Sequence, residues 1–340
     1  MKLDVMTDFN SKKSRTSWVR GNIGGFFTSL LAPQSAQKNI NYQQLSPVPI
    51  VIPPLEIQQR AVQIYQKALT RREQKEQQAQ ALLAGIDAYL LSELGITLPQ
   101  QKESIEHRIF KTKFSQALAN RLDAGYHQKF HAIFSKPAKY SYERLKNLLI
   151  HPPQYGANEE ASDPQSINDV RYIRITDIDE YGNLKTENWK TAKNVDKKYR
   201  LHANDILFAR SGSVGRCYIH KANHQDSIFA GYLIKFILDF TKINPEYFFY
   251  YCHSAIYKAW VSAIQRPSVQ ANINAEEYKG LLIPLPPIDK QNEIAEYISD
   301  IRDQAKRIQA QGEQILADAK TEVERMILGD SGGESCPPAG

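Results

Sequence analysis

Apolar residues recur three and four positions apart in two long stretches of this chain, residues 55 to about 93 and residues 287–328. In the first, Leu55, Val62, Tyr65, Leu69, Leu83, Ile86 and Leu90 fall on one seam, and in the second Ile294, Ile298, Ile301, Ile308 and Ile315 do. That alternation places them on one face of an α-helix, as in the heptads of a coiled coil. Each stretch opens on a proline pair, Pro53-Pro54 and Pro286-Pro287. Proline fits the first turn of a helix and turns the preceding residue away from helical geometry, so both helix starts are marked. A short apolar segment that reads as a strand precedes each pair, at residues 48–52 and 281–285. The first helix would be roughly 58 Å long at 1.5 Å per residue. Its seam also holds Gln58, Arg72 and Glu76, polar positions of the kind that set register against a specific partner. Two such helices pack on one another or on a second chain, either as a plain antiparallel support or as a spacer.

The two stretches belong to an internal repeat. Asn39-Ile40-Asn41 recurs as Asn272-Ile273-Asn274, and at the same offset, without a gap, Ile50 maps onto Ile283, Pro53-Pro54 onto Pro286-Pro287, Leu55-Glu56 onto Ile288-Asp289 and Gln58 onto Gln291. Strand, stop and helix are thus written twice.

Between the helices the pattern changes to short runs of β-branched and aromatic residues, such as Arg171-Tyr172-Ile173-Arg174-Ile175, Asp205-Ile206-Leu207-Phe208 and Tyr232-Leu233-Ile234-Lys235-Phe236, which predict strands. Residues 205–219 read as a hairpin turning at Ser211-Gly212-Ser213-Val214-Gly215-Arg216, where two glycines permit the tight backbone. Residues 244–264 read as one helix rich in aromatic residues. The expected fold class is α+β: one β-rich globular domain flanked by two long helices that form an antiparallel coiled coil.

Hydrophobic residues make up 42% of the 340, enough for an ordinary core. Lys and Arg number 43 against 37 acidic residues, a net charge of +6, which suits a polyanionic partner without deciding for one. The three cysteines, Cys217, Cys252 and Cys336, form no C-x-x-C pair, so neither a disulfide framework nor a zinc knuckle is expected. The first residues are polar and charged and no run is long enough for a membrane span, which points to a cytoplasmic protein. Motifs of catalysis are missing: there is no Walker loop, and the proline pairs read Ile-Pro-Pro-Leu, His-Pro-Pro-Gln and Leu-Pro-Pro-Ile rather than the Asn/Asp-Pro-Pro-aromatic that holds a flipped base. His220 and His224 are spaced for a shared metal, but with no third ligand nearby no metal site is expected.

Tyr172-Ile173-Arg174-Ile175-Thr176-Asp177-Ile178, then Asp205-Ile206-Leu207 with Arg210-Ser211-Gly212-Ser213-Val214-Gly215, then Ile283-Pro284-Leu285-Pro286-Pro287 with Gln291, together resemble the specificity subunit of Type I restriction-modification enzymes. Their order and the repeat carry the likeness across most of the chain. The resemblance implies target-recognition domains that each read half of a bipartite site, held apart by an antiparallel pair of conserved helices. It implies as partners double-stranded DNA, methyltransferase subunits and, indirectly, a restriction subunit. S-adenosylmethionine, ATP and Mg would belong to those partners, with no cofactor and no catalysis in this chain. The expected organisation is residues 1–53 as the remnant of a first recognition domain, 54–95 as the first spacer helix, 104–286 as a complete recognition domain, 287–328 as the second helix and 329–340 as a disordered tail. With one complete recognition domain, the chain is expected to pair with a second copy or a complementary fragment.

Base reading needs forked or paired donors and acceptors on elements that enter a groove. The hairpin turn offers Arg210, Ser211, Ser213 and Arg216, and the segment before the repeat offers Gln265, Arg266, Ser268 and Gln270. Tyr155 and Asn158 form another candidate loop. Lys193, Lys197, Lys198 and Arg200 are placed to neutralise phosphates without reading bases. Two rival readings stay open: a coiled-coil scaffold that binds protein, and the remnant of a fused DNA methyltransferase or nuclease.

Overall fold

The computed structural model describes residues 51–98, 124–134, 138–265 and 271–328. The first Asn-Ile-Asn element, most of the expected remnant, the tail and the candidates Arg266, Ser268 and Gln270 lie outside the described residues. The elements, in order, are helix α1 (Leu55–Leu94), helix α2 (Ala124–Phe134), strands β1 (Tyr142–Arg144), β2 (Gln154–Tyr155), β3 (Ala161–Ser162), β4 (Arg171–Ile173), β5 (Thr191–Ala192), β6 (Ile206–Ala209), β7 (Cys217–Ile219), β8 (Ser227–Phe229) and β9 (Leu233–Phe236), helices α3 (Pro245–Tyr251), α4 (Ala255–Ile264) and α5 (Ala275–Lys279), strand β10 (Leu282–Pro284) and helix α6 (Ile288–Leu328). Both long helices begin where the proline pairs place them. The chain is α+β, and its described residues group into two units, 51–81 with 304–328, and those between 82 and 303.

In the first unit the opening of α1 lies antiparallel to the end of α6. Ala68 packs with Leu316 and Ala319, flanked by Ile64, Tyr65, Leu69 and Ile315, and Ile308 is also buried. Register is written in polar pairs: Arg72 Nε donates to Glu313 at 2.7 Å, Lys75 Nζ to Gln311 at 3.0 Å, and Gln309 Nε2 to Glu76 at 3.2 Å. Of the three polar seam positions, Arg72 and Glu76 thus find their partners in α6 of the same chain, while Gln58 bonds Pro53 O. Leu55 and Val62, expected in the seam, stand 67% and 53% exposed. Alanines take their place, since Ala61, Ala68 and Ala79 are the buried positions. Their small side chains suit close approach of the two backbones. At Gly312, likewise, an added Cβ would stand 3.3 Å from Cβ of Lys75.

The second unit holds the globular domain. Leu90, Leu91 and Leu94 share its core with Ile294, Ala295 and Ile298, with Ile86 packed against it, while Leu83 and Ile301 are half-buried. Lys290 donates to Glu293 at 2.7 Å and pairs with Glu93 at 2.8 Å, and these bonds raise its pKa. The central sheet has the order β2-β9-β6-β7, all antiparallel, with Leu207 opposite Tyr218 on one side and Lys235 on the other. Strand β1 pairs antiparallel with β10, so the strand ahead of the second proline pair is paired inside the domain.

Residues 244–264 form two helices rather than the single one expected. Ser254 starts the second by accepting from Tyr257 N, and Asp87 of α1 accepts the Ala255 N–H at 2.8 Å. Such a cap satisfies donors that a continuous helix would have bonded internally.

Candidate nucleic-acid interface

The hairpin of β6 and β7 turns where the glycines require it, with Gly212 and Gly215 at φ of 70° and 83°. It is pinned from inside by two buried tyrosines. Tyr278 Oη donates to Ala209 O at 2.8 Å and accepts from Gly215 N at 3.2 Å, and Tyr257 Oη donates to Gly215 O at 2.8 Å. Both hydroxyls are taken out of water and both are bonded, so the turn is held in one position.

Three segments meet beside it. Arg210 N–H donates to Tyr232 O at 3.0 Å, and Arg210 O accepts from Ile273 N at 2.8 Å. Ser211 bridges to Asn272, the first residue of the repeated Asn-Ile-Asn. The other two residues of that element explain its composition: Ile273 is buried, and Asn274 caps α5 in a reciprocal arrangement with Glu277. From the third segment, Tyr155 lies under the Arg210 guanidinium, 5.2 Å from its ring centroid, and Tyr155 Oη accepts from Ala275 N at 3.2 Å. Next to it the chain approaches β8 so closely that a Cβ on Gly156 would stand 2.3 Å from Ala230 O, and one on Gly231 would stand 2.0 Å from Asn158 Oδ1. Tyr155, Asn158, Arg210 and Ser211, proposed from separate stretches of sequence, therefore cluster. Tyr232 and Asn272 belong with them and were not singled out. The signal for Tyr232 was a large aromatic directly after Gly231, and it stands 65% exposed.

Other candidates are placed differently. Arg216 turns inward, its Nη1 donating to Ile178 O at 2.6 Å, so it braces the hairpin against the turn at residues 175–177. The motif around Tyr172 builds that turn, with Arg174 paired to the buried Asp177 at 2.7 Å. Ser213 is half-buried in the turn, and Gln265 ends α4. The basic residues are interleaved with acids: Lys193 faces Glu160 at 3.6 Å, Lys198 faces Asp196 at 3.1 Å and Arg200 pairs with Asp226, while Lys197 is exposed. Exposed pairs of this kind are worth about 0–1 kcal/mol, so a phosphate can displace the acid from Lys193 or Lys198. His220 and His224 do not face a common metal position with their Nδ1 atoms, which both bond Tyr218 Oη, at 3.0 and 2.8 Å.

Residues 157–316 match the family model described as the Type I restriction modification DNA specificity domain. The match takes in just under half of the chain, 160 of its 340 residues. Among curated proteins it is similar to the Type I restriction enzyme EcoBI specificity subunit of Escherichia coli, 24% identical over 187 residues, which covers 53% of this chain and 39% of that protein. It is also similar to the putative Type I restriction enzyme MjaX specificity subunit of Methanocaldococcus jannaschii, 33% identical over 107 residues, covering 30% of this chain and 25% of that protein. The chain thus spans well under half the length of these relatives. Among solved structures, the Type I restriction-modification S subunit from M. genitalium aligns at a TM-score of 0.49 and 10% identity, over 87% of this chain and 67% of that one. The specificity domain as matched includes the hairpin, Asn158, Tyr232, Asn272 and the first part of α6, with Tyr155 just ahead of it. Among the described residues no helix is long and apolar enough to cross a membrane.

Proposed function

We propose that this chain binds duplex DNA in a sequence-dependent way and directs Type I methyltransferase and restriction subunits to a bipartite site. The observation that carries the reading is the pinned hairpin, which gathers Arg210, Tyr155, Asn158 and Asn272 on one face of a specificity domain. Rigid presentation of forked donors and amides is what base recognition demands, because ordering them at the moment of binding would cost affinity. On this reading the chain contributes recognition alone and acts in the cytoplasm. Methyl transfer and cleavage, with their S-adenosylmethionine, ATP and Mg, belong to partner subunits. Mapping DNA methylation in the host with and without this gene tests it: loss of methylation at one interrupted motif is expected, and an unchanged pattern would contradict it.

The reading extends to pairing with a second copy of the chain. Gln58 Nε2 donates to Pro53 O at 2.7 Å just as Gln291 Nε2 donates to Pro286 O at 2.8 Å. Gln291 is buried, because its Oε1 also accepts from Asn244 N at 2.9 Å and its Nε2 also donates to Lys242 O at 3.2 Å, which seats the recognition domain on the helix start. Gln58 keeps only the helix-start bond among the described residues, beside the exposed Leu55 and Val62. This repeated start is the place for a second recognition domain, and a twofold pair would read a palindromic, interrupted site. Light scattering at micromolar concentration should give a dimer of the 38.8 kDa chain. A monomer would point instead to a complementary fragment as the mate.

A further inference from the structure

We infer that Arg210 reads a guanine in the major groove, and that Tyr155 is the residue that positions it. The inference rests on the DNA-binding role proposed above and deepens it.

The arginines of the specificity domain separate by what holds them. Arg171 donates to Lys185 O at 2.6 Å, Arg174 is paired with Asp177 at 2.7 Å, Arg200 is paired with Asp226, and Arg216 donates to Ile178 O at 2.6 Å. Arg210 is also half-buried, yet among the described residues its side chain has neither an acid nor a carbonyl partner, and its buried Nε is without a hydrogen-bond acceptor. What fixes it is the ring of Tyr155, at 5.2 Å. That ring is fixed in turn by the bond from Ala275 N at 3.2 Å. The Arg210 backbone is tied on both sides, to Tyr232 O at 3.0 Å and Ile273 N at 2.8 Å.

A guanidinium stacked on an aromatic face is oriented while its forked donors stay available, which a carboxylate partner would not allow. Guanine presents O6 and N7 side by side in the major groove and accepts such a fork in two parallel bonds, whereas no other base offers that pair of acceptors. Ser211 and Asn272, bridged beside Arg210, supply further polar groups next to the same base pair. The carboxylates that answer the lysine-rich stretch, such as Glu160, Asp196 and Asp226, pair with other cations and leave this one uncompensated.

The test uses the full chain, alone and with the methyltransferase subunits of its host, on duplexes selected from a randomised pool. Each guanine is then replaced in turn by 7-deazaguanine, which lacks the N7 acceptor. Arg210→Ala and Arg210→Lys are both expected to relax preference at one G·C pair by roughly 10- to 100-fold. The lysine variant keeps the charge, so its loss separates base reading from phosphate attraction. At that same pair 7-deazaguanine should weaken the wild type and leave Arg210→Ala unaffected, and Tyr155→Ala should reproduce part of the loss while Tyr155→Phe, which keeps the ring but not the bond from Ala275 N, should lose less. The inference is overturned if Arg210→Ala weakens all duplexes by a common factor, or if the profile is unaltered while the wild type remains specific. Binding by the wild type without any preference would instead sink the DNA-reading role itself, and this inference with it.

Discussion

Replacing Phe208 by alanine is expected to lower the unfolding free energy by about 3–5 kcal/mol, the range for deleting a fully buried aromatic ring. Phe208 lies on β6, the strand paired on both edges, and has no exposed surface. Its ring stacks on Tyr278 at 4.5 Å and meets Phe236, Phe248 and Tyr257 at 5.4, 6.0 and 6.2 Å. Domains of this kind are stable by only about 5–15 kcal/mol, so the loss is a large share of the total. It should also reach the interface, because two of those neighbours, Tyr278 and Tyr257, are the residues whose hydroxyls hold the hairpin turn. Urea denaturation measures the first effect. A loss below about 1 kcal/mol would mean that the ring is not the centre of the core.

The second large effect is expected with pH. Lys221 N–H donates to His224 Nδ1 at 3.1 Å, so that nitrogen is an acceptor and Tyr218 must donate to it. Tyr218 Oη then accepts from His220 Nδ1 at 3.0 Å. The chain of bonds requires a neutral His224, whose Nδ1 accepts, while His220 donates from its Nδ1 and is held neutral by burial. Burial, with the neighbouring His224 second, pulls His220 down from 6.5 to about 4, and burial also lowers His224. A base with a depressed pKa binds fewer protons when folded than when unfolded. Its contribution is therefore complete above about pH 6.5 and is lost progressively as pH falls towards 4, by on the order of 3 kcal/mol for His220. His253, also lowered to about 4 by burial, adds in the same direction, while Asp205, raised by burial beside Lys235, opposes it at the acid end. Unfolding free energies measured between pH 7 and 4.5 should fall, and His220→Gln should flatten that slope by about one proton. An unchanged slope in the variant would show that His220 is not held neutral.

The elements most legible in the sequence were those fixed by local chemistry. The proline pairs located both helix starts, and Gly212 and Gly215 located the turn of the hairpin because φ above zero strains other residues. Positions decided by distant partners were not legible. Leu55 and Val62 carry the heptad pattern and stay exposed, while the helices close on Ala68 against Leu316 and Ala319, a choice made by the surface of α6. The break at Ser254 depends on Asp87, 168 residues away, and the inward turn of Arg216 depends on a carbonyl 38 residues away. Of the proposed DNA-facing residues, spacing alone named Arg210 and Tyr155 but could not join them, since their contact needs the folded sheet.

Selection of duplexes from a randomised pool by the full chain tests the central claim, a specificity domain that reads bases from a pinned hairpin. Enrichment of a defined motif that includes a G·C pair at a fixed position is expected. A bound pool with the composition of the input, retained only by charge and lost uniformly with salt, would contradict it.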